Sequence, residues 1–251
     1  MAKYLITGVS SGLGKALTKQ LVKTHSVWGT ARTEKSLKEF KRELNTSNFN
    51  YSTSDQAETA DWQNLIKNLT RKAFTPEVII FNAAISINDL ERDIDFENLK
   101  KMMEINFMGI MKGIQLLLPI VKPNTQFIAI SSFSAFKGSG QEGVGYATSK
   151  AALSVAFESL FQKYKDKKIL FKTIYFGPIQ SGMAPFKKNT PFMISEEKAV
   201  NFILKSTKDK KGQYYYPSSI FFIMKIIKLL PSDLYFKILS LMESARSKYV
   251  N

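Results

Sequence analysis

The sequence predicts an α/β fold: a doubly wound parallel sheet in a single domain, with C-terminal amphipathic helices. Three observations predict it. Short apolar runs rich in β-branched and aromatic residues alternate with longer amphipathic stretches through most of the 251 residues. Several of those runs show no polar alternation, which is how parallel strands look when helices cover both faces. No Pro/Gly/Ser linker divides the chain and no internal repeat interrupts it, so one sheet with right-handed crossovers takes all the runs.

The first run, "KYLIT" at 3–7, passes directly into "GVSSGLGKAL" and a helical stretch at 13–24. Gly8, Gly12 and Gly14 mark that passage. Glycine has no Cβ, so the backbone turns tightly and comes close to a pyrophosphate. The helix start then offers free amides and a positive dipole end. The spacing is G-x-x-x-G-x-G rather than the commoner G-x-G-x-x-G, but its place after a first strand favours a phosphate site over a merely structural turn.

The second run, "SVWGTA" at 26–31, ends in "RTEK". A Rossmann-like NAD site usually has an acid there for the ribose 2′-hydroxyl. Here Arg32 holds the tip, and its planar fork suits a 2′-phosphate. Glu34 reads as a first-turn residue behind Thr33 as N-cap of a helix at 34–45. NADP(H) is therefore expected over NAD(H). "NFNYS" (48–52), "EVIIFNA" (77–83), "QFIAIS" (126–131) and "ILFKTIYF" (169–176) supply the further strands, with helical stretches at 59–71, 95–121 and 146–165. Residues 132–145 are the most glycine-rich and read as a loop.

Composition narrows the chemistry. The chain has no cysteine, so disulfides, thiolate nucleophiles and cysteine-held metals are excluded. The one histidine, His25, lacks any ligand spacing and reads as a surface residue, so no metal site is expected. Tyr, Lys or carboxylates are left to carry protons. "MAKYLITGVS" has no charged leader ahead of its apolar run, which with the lack of cysteine reads as cytoplasmic. The net charge of +15 suggests an anionic partner such as acidic lipid or a phosphorylated cofactor. Nucleic acid is not expected, because no reader motif is present and the aromatics cluster with aliphatics.

"GYATSK" at 145–150 sets Tyr146 and Lys150 four positions apart, on one helix face. Ten Tyr and thirty-one Lys make roughly one such pair expected by chance, and Tyr164 with Lys168 is a second. Position distinguishes them. Tyr146 opens a long helical pattern behind a strand and a glycine-rich loop, whereas Tyr164 and Lys168 sit at that helix's charged end.

"TGVSSGLG" (7–14), "FNAA" (81–84), "INFMG" (105–109), "ISS" (130–132) and "YATSK" (146–150) occur in this order, and together they resemble the short-chain dehydrogenase/reductase family over residues 1 to about 205. The resemblance implies Tyr146 as proton donor or base, with Lys150 holding the nicotinamide ribose and favouring the phenolate. An adjacent cation has that effect on any phenol. Ser132 would hydrogen-bond the substrate oxygen and Asn106 would steady a water in a proton relay. Ser10, Ser11, Leu13, Asn82 and Ala83 would join the glycines at the cofactor, and Asp55 would meet the adenine. Ile179 and Ser181, in "FGPIQSGM" at 176–183, would frame the nicotinamide. The sequence departs from the family pattern at Ala84, at Phe176 and in a Ser132–Tyr146 interval one residue longer than usual. Ser131 and Ser134 therefore stay open as the acting hydroxyl. A homodimer or homotetramer packed through 95–121 and 146–165 is also implied.

Residues 213–251 are expected as a helical appendage to a 1–212 catalytic domain. Pro217 and Pro231 bracket an apolar segment with Lys225 and Lys228 on one face, and a second helix is expected from Ser232. From Lys205 to the end there are nine Lys/Arg against three Asp/Glu. An apolar face with basic surroundings fits a membrane interface, and it equally fits a lid over an apolar substrate. The expected activity is NADP(H)-dependent hydride transfer to a small-molecule carbonyl or from an alcohol. The alternative is a non-catalytic NADP(H)-binding regulator at a membrane surface.

Overall fold

The computed structural model describes residues 1–87, 94–138, 144–180 and 193–247. Its strands in chain order are β1 (Lys3–Thr7), β2 (Ser26–Ala31), β3 (Phe49–Thr53), β4 (Val78–Phe81), β5 (Gln126–Ser132), β6 (Leu170–Phe176), β7 (Ile179–Gln180), β8 (Ile194–Ser195) and β9 (Gln213–Tyr216). Seven of them form the central sheet in the order β3-β2-β1-β4-β5-β6-β9, every pair parallel. β7 and β8 pair separately. The helices are α1 (Gly12–Leu21), α2 (Glu34–Leu44), α3 (Thr59–Arg71), α4 (Phe96–Met103), α5 (Gly109–Leu117), α6 (Val144–Lys163), α7 (Glu196–Ser206), α8 (Ser218–Leu229) and α9 (Ser232–Ser247). This is the doubly wound, Rossmann-like sheet expected from the alternating runs.

The sheet holds together because both of its faces are apolar. Along β1, Tyr4 and Ile6 join one buried cluster and Leu5 the other. Along β5, Ile128 and Ile130 face the first, and Phe127 and Ala129 the second. Successive strand side chains point to opposite faces, so an unbroken apolar run fills two cores at once. Leu13, Leu17, Leu37, Val200 and Ile203 from α1, α2 and α7 close the first cluster. Trp62, Ile114 and Phe157 from α3, α5 and α6 close the second.

Several details differ from the sequence expectations. The stretch at 95–121 is three pieces, with a π-helical turn at Glu104–Met108 between α4 and α5. Gln213–Tyr216 is the seventh strand of the sheet, so the sheet takes in four residues of the expected appendage. Helix α7 was not among the stretches singled out, although Ser195 caps it by accepting from the Lys198 amide at 3.3 Å. Thr33 does stand at the N-cap of α2, yet its side chain makes no cap bond, and Ser36 Oγ donates to its carbonyl instead. His25 is half-buried against Tyr4, with the ring centroids 5.2 Å apart. Helix α6 ends at Lys163 and Lys168 has φ +55°, so Tyr164 and Lys168 do not share a helix face.

Helix α8 packs onto the end of the sheet. Tyr215 of β9 stacks on Phe221 of α8 at 3.8 Å and on Tyr175 of β6 at 5.0 Å. At Gly177 an added Cβ would meet Ile220 Cδ1 at 2.8 Å, so the missing side chain lets α8 settle there.

Candidate active site

The order of the sheet reverses at β1, with β2 on one side and β4 on the other, and a crevice opens at their carboxyl ends. The glycine turn lies there. Gly8 and Gly12 adopt φ +74° and +51°, a region that side chains with a Cβ rarely enter. Gly14 serves by close approach: a Cβ on it would meet the Gly8 carbonyl at 2.1 Å and Asn82 Nδ2 at 2.5 Å. Ser10 and Ser11 are exposed. Ser11 stands at the N-cap of α1 without a side-chain cap bond, and the first turn of α1 holds no acid. Its leading amides are thus left for an anion. Leu13 is buried and anchors the helix start.

Asn82 and Ala83, just after β4, lock this turn. Asn82 Nδ2 donates to the Thr7 and Gly8 carbonyls, each at 3.1 Å. Thr7 Oγ1 accepts from the Asn82 and Ala83 amides at 3.1 and 3.0 Å. Arg32 is exposed at the end of β2, while the Glu34 carboxylate pairs with Lys38 at 2.9 Å as a first-turn helix residue. Asp55 closes its own turn, its carboxylate accepting from the Ala57 amide at 3.0 Å. The next residue, Gln56, is buried and ties two parts of the crevice together. Its Nε2 donates to the Ala83 and Ile105 carbonyls, both at 2.8 Å.

Tyr146 and Lys150, four positions apart, lie together on α6. Lys150 lies buried on α6 with its Nζ 5.8 Å from the Tyr146 ring centroid, donating to the Ile130 carbonyl at 2.8 Å. Burial lowers its pKa from 10.5 to about 8. Asn106 is fully buried in the π-helical turn, a feature frequent at functional sites. Its Oδ1 accepts from the Ile85 amide, and its Nδ2 donates to the Ile85 carbonyl and to Ser149 Oγ, at 2.8, 2.8 and 3.0 Å. Ser149 Oγ donates in turn to the Tyr146 carbonyl at 2.8 Å. The opening of α6 and the loop after β4 are thus joined through one amide.

The three serines occupy different surroundings. Ser131 is buried, with its Oγ 2.8 Å from Ser154 Oγ beneath α6. Ser132, the last residue of β5, is half-buried, and its Oγ lies 2.6 Å from Ser134 Oγ. In register, Ser132 stands opposite Phe176, a core residue that extends β6 where the family pattern has proline. Ile179 pairs with Ile194 in the small ladder. Ser181 lies outside the described residues. Among the described residues no cluster of His, Cys, Asp or Glu suited to a metal is present. Thr7, Gln56 and Ser149 were not singled out from the sequence. Only Thr7 had a visible signal, a hydroxyl on the last strand residue before the glycine turn.

Comparison with known proteins gives a consistent result. A family model described as short chain dehydrogenase matches residues 3–191. An NADPH-dependent pterin aldehyde reductase of Arabidopsis thaliana is 31% identical over 153 residues, covering 59% of this chain and 63% of that protein. A benzil reductase, (S)-benzoin forming, of Saccharomyces cerevisiae is 28% identical over 161 residues, covering 60% of this chain and 61% of that protein. The chain therefore spans less than two thirds of the length of these two relatives. The crystal structure of a short chain dehydrogenase from Burkholderia cenocepacia, in complex with NADP, superposes with a TM-score of 0.81 at 19% identity, covering 95% of this chain and 97% of that one.

Proposed function

Because the chain belongs to the short-chain dehydrogenase family of oxidoreductases, we propose that it is an NADP(H)-dependent reductase of apolar carbonyl compounds, or a dehydrogenase of the corresponding alcohols. The observation that carries this reading is the buried Lys150 ammonium 5.8 Å from the Tyr146 ring, in a chain whose first strand runs into a glycine turn. The cradle fits a dinucleotide, since the φ values of Gly8 and Gly12 and the uncapped start of α1 leave room and amides for a pyrophosphate. Gly8, Ser10, Ser11, Gly12, Leu13 and Gly14 would hold it. Arg32 would take the 2′-phosphate, Asp55 the adenine edge, and Asn82, Ala83, Ile179 and Ser181 the nicotinamide half. NADP(H) preference is supported by Arg32 standing free of the Glu34–Lys38 pair at the tip of β2.

Bound NADPH supplies the hydride that reduces the carbonyl carbon. Tyr146 gives its phenolic proton to the carbonyl oxygen, and in oxidation it takes that proton back. Lys150 stabilises the phenolate left behind, a charge that burial makes more effective. Ser132 steadies the developing oxyanion, supported by Ser134 at 2.6 Å. Ser131 is bonded to Ser154 under the helix and is the weaker candidate. Both polar atoms of the Asn106 side chain are engaged by Ile85 and Ser149, so Asn106 would hold a relay water through its main chain. An apolar substrate is favoured by the aromatic residues Phe133, Phe136, Tyr175 and Tyr215, which pack together beyond Ser132. The test follows NADPH consumption with hydrophobic aldehydes and ketones. Turnover should fall at least a hundredfold in Tyr146→Phe with NADPH affinity retained, as expected for loss of a general acid. Equal turnover by Tyr146→Phe would remove the proposed mechanism.

A further inference from the structure

We propose that the outer surface of α8, continued onto the first turns of α9, is a docking surface for an anionic lipid bilayer. The outer side of α8 presents Phe222, Ile223, Ile226 and Leu229, with exposures of 65, 44, 63 and 85%. Their i, i+1, i+4, i+7 spacing makes one continuous stripe. Leu234, Phe236 and Ile238 extend exposed apolar surface onto α9. The helix is not loose, because Phe221 on its inner side stacks on Tyr215 and Ile220 packs at Gly177. A firmly seated helix with an apolar outer face marks an interaction site.

Charge selects the occupant. Lys225 and Lys237 are exposed beside the stripe, and residues 205–251 carry nine Lys/Arg against three Asp/Glu in a chain of net charge +15. A second copy would bring like charges together across a two-fold axis. An anionic headgroup layer neutralises them while the apolar stripe enters the acyl boundary. The expected homo-oligomer has another exposed apolar surface, at Val144 and Val155 on α6. Geometry selects the mode. Twelve residues of α8 rise about 18 Å, short of the roughly 30 Å hydrocarbon layer. Among the described residues no helix is long and apolar enough to cross a membrane. Helix α8 would therefore lie in the interface plane.

Its inner contacts reach the active-site loop. Lys137 Nζ donates to the Leu230 carbonyl at 2.8 Å and sits 4.8 Å over the Tyr235 ring. Tyr235 donates to the Gly138 carbonyl at 3.0 Å. The junction of α8 and α9 is thereby clamped to the segment following Ser132, so docking would set the proposed substrate side against the lipid phase.

The experiment is cosedimentation of the full-length protein with phosphatidylcholine vesicles, with and without phosphatidylserine, at low and high salt. Partitioning should require phosphatidylserine and weaken with salt. It should drop about fivefold in Lys225→Ala, the equivalent of about 1 kcal/mol for one basic residue near the surface. It should drop at least tenfold in Phe222→Asp/Ile226→Asp. NADPH titration and light scattering of the same variants should be unchanged, which separates failure of docking from failure of the cofactor site. Absence of binding to phosphatidylserine vesicles at low salt would overturn the proposal. So would a fall in particle mass in Phe222→Asp/Ile226→Asp, which would make a second copy the occupant.

Discussion

Lys150 shows how one residue couples burial to chemistry. Its ammonium has left water for a buried site where it donates to the Ile130 carbonyl, and burial lowers its pKa to about 8. The sign of the pH dependence follows. Below about pH 8 the lysine in the free protein carries its proton and supports the phenolate; above it, the cation is lost. For reduction, kcat/KM should decline as pH rises through about 8, because that ratio reports groups of the free enzyme. A pH–rate profile that stays level to pH 10 would show that Lys150 does not govern the site. The pairing of Tyr146 with Lys150 was legible because helical spacing is local. Gln56 was not, because its partners lie 27 and 49 residues away and only the folded chain brings them to its amide.

At the scale of elements, the glycine turn and β4 form a single packed unit. Gly14 sits where any Cβ meets the Gly8 carbonyl and Asn82, so Gly14→Ala must push α1 away from β4. We expect the substitution to lower stability by about 1–3 kcal/mol, the usual cost of overpacking. We also expect it to weaken NADPH binding more than tenfold, and denaturant titration with cofactor binding reads both effects. Unchanged NADPH affinity would show that the turn is structural only. The boundaries of β1 and β2 coincide with the sequence reading because uninterrupted apolar runs end there at glycine and at arginine. The strand β9 was harder to see. Four residues at a sheet edge, between a charged turn and Pro217, carry no period of their own, and their extended form depends on pairing with β6. The π-helical turn was likewise invisible. The residues at 95–121 read as one helix, and the widened turn at Asn106 shows only in the fold.

For the whole molecule, the strand order reverses at β1, and the proposed site draws on six segments of the chain: the glycine turn, Arg32, Asp55, Asn82, Asn106 and the Tyr146–Lys150 pair. The sequence points to these residues through ordered motifs and not through spacing, since they are far apart along the chain. The packing between the loop after β5, β9 and α8 is less legible, because there aromatic contacts replace any motif. The central claim is that this crevice holds a 2′-phosphorylated dinucleotide through Arg32. The measurement that tests it is a fluorescence titration of the protein and of Arg32→Ala with NADPH and NADH in parallel. We expect at least tenfold tighter binding of NADPH, as for a charge-assisted contact of about 1.5–3 kcal/mol, with that preference lost in Arg32→Ala. Equal affinity for the two nucleotides, or binding of neither, would contradict it.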